Sequence, residues 1–557
     1  MHGRVKVRTT AEQEALKKIE REKKLVQYKA AIGLVFQKRK DKVWDDELLA
    51  VTERMVLQNP DINTLWNIRR EAFQNNDWPQ EERTERLTRE LTLTENCLRE
   101  NPKSYGVWHH RCWVIDHLQQ PDWKTELSLC AKCLNLDERN FHCWDYRQYV
   151  VKKAGISDAE EFDFSTTKIL NNFSNYSSWH YRSKILSKMF ADESGELPIR
   201  ADKHKEELDL VMNATFTDPN DSSAWFYQRW LLDCSESKPN TLWRARVTST
   251  GATMVFCKAI KIHSGNVALL SNGSAISPIA WESPDKKQYS KSWIAIFADQ
   301  SNDGSSAVES MSIKFDDVTY DLYRSLTNDA WLYKTKNTTS EKHNAAQLKE
   351  QMESYQQLSE MEPNNKWSLL TGIYLMKNYD PTAYNAKILD DLSALSKVDK
   401  LRSNYYNDMR SKCIIDYALE NIWQKEGDAE LCSTIDLSGL DLTVLYNEHC
   451  LTLFEEINLG ANKLSNSLHR LNALEECKKL SLSSNDLESL KHLPTLKNLE
   501  NLSLRNNDLS KVDEILELVK RHPKLKKLDL RDNKFERLDA VVAQISNLCS
   551  TLELLVD

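Results

Sequence analysis

The sequence predicts a multidomain, mainly α-helical protein in which helical hairpins stack into a crescent, an αα-superhelix. Three observations predict this class: a Trp-centred motif that recurs in the first half, a β-rich stretch that interrupts the helical pattern, and a Leu-rich repeat near the end. Sequence periods of about 20 to 50 residues are typical of stacked supersecondary units. We therefore expect several kinds of domain in this chain of 557 residues.

The Trp-centred motif occurs in five copies, and a degenerate sixth copy surrounds Trp367. The helical period around each Trp, and the Asn, Asp or Pro in the turn before it, predict two helices joined by a turn. We interpret the Trp residues as core. We expect the Arg that follows them by three residues to bond carbonyls or a carboxylate of the next unit. The copies centre on Trp66, Trp108, Trp144, Trp179 and Trp225, and the first four carry Arg69, Arg111, Arg147 and Arg182.

Changes in the residue pattern along the chain predict the domain boundaries. Residues 11–40 predict one charged amphipathic helix, and the hairpins follow it. Short β-rich runs between Leu242 and Tyr333, separated by turn residues, predict an antiparallel β-sandwich with an immunoglobulin-like topology. A residue pattern typical of helices then returns. The predicted domains are residues 1–238 for the first helical part, 239–335 for the inserted sandwich, 336–424 for the second helical part and 425–557 for leucine-rich repeats.

The C-terminal part has a repeat of its own. Asn462, Asn485, Asn507 and Asn533 are spaced by 23, 22 and 26 residues, and Leu or Ile lies five and three residues before each. This spacing is typical of leucine-rich repeats, in which the Asn side chain bonds to the backbone of the turn. Residues 435–440 lack the Asn and are expected to form a capping copy.

Composition excludes several classes of function. A net charge of −8 argues against a nucleic-acid-binding protein, and no apolar run reaches the ~18 residues of a membrane span. The 12 cysteines lack a secreted spacing and predict reduced thiols in the cytoplasm. The start of the chain has neither a signal-peptide nor a myristoylation pattern. Cys130, Cys133, His142 and Cys143 could be read as a zinc site, but Cys130 and Cys133 lie on a helical apolar face, which favours core packing.

The hairpin repeats resemble those of protein prenyltransferase α subunits. With the inserted sandwich, the leucine-rich tail and the opening MHGRVKV, the chain is similar to the type II branch of that family, the Rab geranylgeranyltransferases. The resemblance implies a heterodimer whose β subunit holds the catalytic zinc, so this chain binds no cofactor itself. It also implies transfer of geranylgeranyl from geranylgeranyl diphosphate to C-terminal cysteines of Rab GTPases, which a Rab escort protein presents. The products are a thioether and inorganic diphosphate.

The resemblance also assigns three catalytic residues. Lys103 and Tyr105, five and three residues before Trp108, match the farnesyltransferase motif PKNYQVW, in which the Asn is Ser104 here. His142 matches the His of NYHAW, in which the Tyr is replaced by Phe141. A Lys at a helix N-terminus suits a leaving diphosphate, and Tyr and His can donate hydrogen bonds to it or to the incoming peptide.

The residues by themselves leave a second interpretation open. The sequence has no convincing metal-ligand set, phosphate-binding Gly-rich loop or Ser-His-Asp pattern. A turn Lys is usually solvated, Tyr105 could pack in the hairpin, and His142 could cap a helix. A non-enzymatic adaptor built of helical and leucine-rich repeats is therefore the alternative to an enzyme subunit.

Overall fold

The computed structural model describes residues 11–192, 199–233, 241–263, 265–298, 308–325, 329–334, 345–425, 432–536 and 538–557. The chain forms two compact units. Unit 1 comprises Met1–Ala214 and Asp221–Leu231, and unit 2 comprises Thr215–Asn220 and Leu232–Asp557. Among the helices of the described ranges, none is both long and apolar enough to cross a membrane.

The first helix, α1, spans Ala11–Lys40, which confirms the helix predicted for residues 11–40. Helical hairpins follow it, as the Trp-centred repeats predict. In each hairpin the Trp is the fourth residue of the second helix. The hairpins are α2 (Asp46–Gln58) with α3 (Asn63–Asn75), α4 (Gln80–Glu100) with α5 (Tyr105–His117), α6 (Trp123–Leu136) with α7 (Phe141–Ala154), α8 (Asp158–Asn171) with α9 (Tyr176–Met189), and α10 (Ala201–Thr217) with α11 (Ser222–Asp233).

Each motif Trp fixes the turn of its own hairpin. The indole rings are buried, which confirms the core interpretation. The indole N–H also donates to the carbonyl six residues earlier, so that the ring and the turn backbone are held together. The pairs are Trp66 with Pro60 at 2.8 Å, Trp108 with Pro102 at 2.9 Å, Trp144 with Glu138 at 2.9 Å, and Trp179 with Phe173 at 2.8 Å.

The motif Arg residues join each hairpin to the next. Nε and Nη2 of Arg111, on α5, donate to both carboxylate oxygens of Glu126, on α6, at 2.8 and 2.6 Å. The hydroxyl of Tyr146, on α7, donates to the same carboxylate at 2.6 Å. The expectation that the Arg bonds a carboxylate of the next unit is therefore confirmed. This Arg–Glu–Tyr network recurs as Arg147–Glu161–Tyr181 and Arg182–Glu207–Tyr227, and in Arg69–Glu90–His110 a His takes the place of the Tyr.

Unit 2 contains an antiparallel β-sheet of continuous strand order β4-β3-β7-β8-β9-β1-β2-β6-β5. The ring centroids of Phe256 on β2 and Phe315 on β7 lie 4.9 Å apart, although these strands are not neighbours in that order. The sheet therefore folds over an apolar core; its immunoglobulin-like topology stays a prediction. The strands are β1 (Leu242–Val247), β2 (Gly251–Ile260), β3 (Val267–Ser271), β4 (Ser274–Ile276), β5 (Ala280–Glu282), β6 (Ser290–Ile296), β7 (Met311–Phe315), β8 (Val318–Arg324) and β9 (Trp331–Lys334).

Helices return after this sheet and lead into six short parallel strands. The 3₁₀ turns of this part are Lys400–Arg402, Glu448–Leu451 and Ser465–Ala473. The helices are α12 (Ala345–Met361), α13 (Lys366–Tyr379), α14 (Asn385–Val398), α15 (Ser403–Lys425), α16 (Val512–Arg521) and α17 (Leu538–Leu548). The strands are β10 (Thr434–Asp436), β11 (Glu456–Asn458), β12 (Lys479–Ser481), β13 (Asn501–Ser503), β14 (Lys527–Asp529) and β15 (Glu553–Leu555).

The repeated Asn residues connect successive turns of the C-terminal part. Each side-chain amide donates to a carbonyl in the preceding repeat, and these buried bonds satisfy backbone groups that a sheet cannot pair. Leu residues between them form the core. The pairs are Asn462 with Leu437 at 2.9 Å, Asn485 with Leu459 at 2.9 Å, Asn507 with Leu482 at 3.0 Å, and Asn533 with Leu504 at 2.9 Å.

Polar contacts also join the antiparallel sheet to the C-terminal repeats within unit 2. Arg246 on β1 lies 3.1 Å from Glu455, and Lys497 lies 3.0 Å from Glu282. These pairs are partly exposed to solvent, so each contributes little to stability by itself.

Candidate functional site

The candidate site lies at the N-terminal ends of two neighbouring second helices, α5 and α7. Asn140 caps α7 by accepting from the backbone N–H of His142 at 3.1 Å. The side-chain amide of Asn140 donates to the carbonyl of Pro102 at 2.9 Å, which ties the turn before α7 to the turn before α5. This bond brings the start of α7, with His142, close to the start of α5, with Tyr105.

Tyr105 and His142 are in direct contact. Their rings meet edge-on, with centroids 4.2 Å apart, and the ring of Phe141 lies 3.9 Å from His142 on another side. Tyr105 is 69% exposed, whereas His142 is only 7% exposed. The aromatic neighbours therefore bury the imidazole while the phenol remains open to a ligand. The cap of α7 is Asn140, so the interpretation of His142 as a helix cap is wrong.

The surroundings of His142 favour the neutral form of its imidazole. Burial lowers the pKa of its imidazole, Lys103 lowers it further, and Asp145 opposes the shift. A neutral imidazole keeps one N–H donor and one acceptor. His142 can therefore donate a hydrogen bond without carrying charge.

Lys103 lies in the turn that precedes α5. Its ammonium lies 3.2 Å from the carboxylate of Asp137, in the turn before α7, and its side chain is 65% exposed. The Lys103 backbone N–H donates to the Asn101 side chain at 3.2 Å, which fixes the turn. The ammonium is thus held in the same region as Tyr105 and His142, and it remains accessible to an anion.

Sequence reasoning missed Asp137. The signal was present, because an Asn or Asp stands seven residues before each motif Trp and its side chain accepts from the backbone N–H two residues later. That role alone explains the residue type. Only the position of Asp137 opposite Lys103 gives its carboxylate a second partner, and this placement depends on how the hairpins stack.

Sequence reasoning also missed a row of exposed aromatic side chains along these helix ends. Tyr105, Phe141 and Tyr176 occupy the position three residues before the motif Trp, and all three are exposed. Phe226, on α11, meets Tyr176 edge-on at 6.4 Å. Contiguous exposed apolar groups mark binding surfaces more often than isolated ones do.

The alternative zinc ligands lie in the hairpin core. Cys130 and Cys143 are fully buried, and the Cys143 thiol donates to the carbonyl of Cys130 at 3.5 Å. Hydrogen bonds with Cys130 and Cys133, together with burial, raise the pKa of Cys143, which disfavours the thiolate that binds zinc. Across the part of the chain that the structure describes, no cluster of three His, Cys, Asp or Glu side chains could hold a metal ion.

Comparisons with known proteins match both the hairpins and the chain as a whole. The model of the protein prenyltransferase alpha subunit repeat matches residues 87–118, 123–154, 158–189 and 204–235. The human geranylgeranyl transferase type-2 subunit alpha is 37% identical over 512 residues, which cover 88% of each chain. The corresponding Saccharomyces cerevisiae subunit is 36% identical over 42% of this chain and 72% of its own.

One solved structure with a related name is the Candida albicans protein geranylgeranyltransferase-I complexed with GGPP. It aligns with 70% of this chain and 90% of its own at 16% identity, with a TM-score of 0.42. The family assignment depends on the sequence relatives, whose identity extends over most of both chains. This chain belongs to the family of geranylgeranyl transferase type-2 α subunits, a branch of the protein prenyltransferase α subunits.

Proposed function

We propose that this chain is the α subunit of a heterodimeric protein prenyltransferase. The enzyme transfers geranylgeranyl from geranylgeranyl diphosphate to C-terminal cysteines of Rab GTPases, which a Rab escort protein presents. The observation that carries the proposal is the contact of Tyr105 with His142, next to the turns that the Lys103–Asp137 pair joins, in two repeats that match the family model. A non-enzymatic adaptor has no need for this combination of a cation and two hydrogen-bond donors.

Lys103 stabilises the leaving diphosphate in this proposal. Breaking the bond between C1 and oxygen increases the negative charge on the diphosphate, and a preorganised cation lowers the energy of that state. Lys103 meets the requirement because its ammonium is exposed and held by Asp137. The diphosphate would replace or join Asp137 as the anionic partner of the ammonium.

Tyr105 and His142 orient the reactants. The exposed phenol of Tyr105 can donate to a diphosphate oxygen or to the incoming peptide, and the buried ring of His142 fixes the phenol through its edge-on contact. A neutral imidazole can donate to the same groups. We assign to both residues a hydrogen-bonding role, and no proton transfer by this chain is required.

The partner supplies what this chain does not. Zinc is expected on the β subunit, where it would keep the attacking cysteine as thiolate. The row of exposed aromatics, Tyr105, Phe141, Tyr176 and Phe226, provides an apolar surface for the β subunit or for the lipid. We also infer a cytoplasmic location, supported by the free thiols of the cysteines in the described ranges.

We infer two finer assignments for unit 2. The buried Asn bonds between successive turns support leucine-rich repeats in the C-terminal part. The antiparallel sheet that folds over its own core supports an immunoglobulin-like domain.

Reconstitution tests the proposed function. The purified chain, alone and with a prenyltransferase β subunit, is incubated with geranylgeranyl diphosphate, a Rab GTPase and its escort protein. We expect thioether formation only from the heterodimer, with zinc on the β subunit. A chain that forms no stable complex with any prenyltransferase β subunit would support the adaptor instead.

A further inference from the structure

A polar cleft within unit 2 has no role in the proposed prenyl transfer. It lies between α13, α15 and the first turns of the C-terminal repeats, and we call it the α13–α15 cleft. Its volume is about 510 Å³. Ligand sites for small organic molecules typically measure about 300 to 1,000 Å³, so the cleft can hold more than a single ion.

The side chains that line the cleft come from one face of each helix. Tyr405, Asp408 and Lys412 follow one another at helical spacing on α15, and Tyr374 and Lys377 do so near the C-terminal end of α13. Tyr405 is 54% exposed, so a ligand can reach these side chains from solvent.

Cations outnumber anions on the cleft surface. Lys377, Lys412 and Arg470 line it together with one carboxylate, Asp408, which accepts from the Thr443 hydroxyl at 2.7 Å. Because a neighbouring donor already satisfies this carboxylate, it competes less for the three cations.

Two further carboxylates lie beside the cations. Glu448 is 3.4 Å from Arg470, and Asp416 accepts from the Asn447 amide at 2.5 Å. Burial raises the pKa of Asp416, and the nearby Lys377 and Lys412 oppose this shift. The lining itself holds three cations and one carboxylate, so a ligand anion in the cleft meets an excess of positive charge.

Lys412 is already positioned. Its ammonium lies 3.1 Å from the Tyr446 hydroxyl, to which it donates, and 4.2 Å from the centre of that ring. A fixed ammonium loses little conformational freedom when it binds an anion. Met409 and Val444 give the same cleft an apolar wall.

We propose that the α13–α15 cleft binds an organic phosphate, with the phosphoryl group on Lys377, Lys412 and Arg470. Several cations suit the dianionic, three-oxygen phosphoryl group better than they suit a single carboxylate. The remaining volume and the Tyr405 and Met409 side chains accommodate the organic part. This inference does not depend on the proposed prenyl transfer.

Calorimetric titration of the full chain with AMP, adenosine and inorganic phosphate tests the proposal. We expect AMP to bind most tightly, inorganic phosphate to bind more weakly, and adenosine to bind least. Lys377→Gln and Arg470→Gln should each weaken AMP binding roughly tenfold, because each removes a charge-assisted bond. Arg505→Gln is the matched control, since Arg505 pairs with Asp532 at 2.7 Å and does not line the cleft.

Three results would overturn the proposal. They are adenosine binding as tightly as AMP, the absence of AMP and phosphate binding at millimolar concentration, and an equal loss of affinity in the Arg505 control. Melting curves establish that each variant is folded. If Arg470→Gln disturbs the folding of the C-terminal repeats, the AMP affinity of Lys377→Gln still tests the proposal.

Discussion

The ammonium of Lys103 lies 3.2 Å from the Oδ2 atom of Asp137, and this contact joins the turns of two successive hairpins. Both side chains are partly exposed, so the pair adds little to stability. Its importance is electrostatic, because it places one cation and one competing anion beside Tyr105 and His142. Substitution of one residue at a time separates the effect of the cation from that of the anion.

Lys103→Ala should slow prenyl transfer by the heterodimer about 100-fold, the scale of removing one preorganised donor to a developing anion. The loss should fall on kcat in single-turnover measurements, since the contact strengthens in the transition state. Arg139→Ala is the matched control. Arg139 occupies the same repeat position in the next hairpin and donates to the Ser174 carbonyl at 2.7 Å. An unchanged rate for Lys103→Ala would mean that this residue is an ordinary solvated Lys.

Asp137→Asn should lower KM for geranylgeranyl diphosphate by up to about fivefold, because the variant removes an anion that competes for Lys103. The turn should survive, since an Asn side chain can still accept from the Arg139 backbone N–H. The gain should fade at high salt. If the variant instead loses activity as Lys103→Ala does, Asp137 holds the ammonium in place for catalysis.

Arg111→Ala should lower the free energy of unfolding by roughly 3 to 5 kcal/mol, because it leaves the Glu126 carboxylate buried without its cation. Activity per folded molecule should remain nearly unchanged. Arg99→Ala, which breaks an exposed pair with Glu95, should cost under about 0.5 kcal/mol. Urea titrations and transfer rates on the two variants check this. Equal stability of the two variants would show that the buried network adds nothing.

The Glu90 carboxylate should make the stability of the helical hairpins sensitive to acid. Burial opposes its ionisation, but Arg69 and His110 outweigh burial, and the pKa of Glu90 falls from 4.5 to about 2. A lowered folded-state pKa stabilises the protein above pH 4.5, and this stability is lost as the pH falls towards 2. Glu90→Gln should therefore be much less stable than the native chain at pH 7, with a difference that shrinks below pH 4.5. A difference independent of pH would exclude this role for the charge.

The sequence was sufficient to predict the helical hairpins and the Arg residues that connect them. The Trp and Arg positions show a regular spacing, and their burial and carboxylate contacts follow from it. The Glu partners were missed, although Glu90, Glu126, Glu161 and Glu207 each lie 18 residues before the Trp of their own hairpin. The aromatic or His partner two residues after that Trp was missed for the same reason. When a neighbouring hairpin buries a side chain, the sequence indicates this only after the two repeats are aligned with each other.

Contacts between distant parts of the chain were beyond sequence reasoning. The pair of Arg246 and Glu455 joins a strand of the inserted sheet to a C-terminal repeat, and neither residue belongs to a recurring motif. The three candidate catalytic residues came from the resemblance alone. Their roles stay predictions, and the structure adds the contact of Tyr105 with His142.

The Arg–Glu–Tyr network has a direction along the chain. Each Arg precedes its Glu partner by 14 to 25 residues, so a ribosome makes the cation before the anion that neutralises it. A hairpin that has just emerged therefore has an incomplete core until the next one follows. The last carboxylate of the series described above is Glu207, which accepts from Tyr227 of the fifth hairpin, and Gln228 stands three residues after Trp225 in place of the Arg. Vectorial synthesis thus gives the array a defined order of completion, from α3 towards α11.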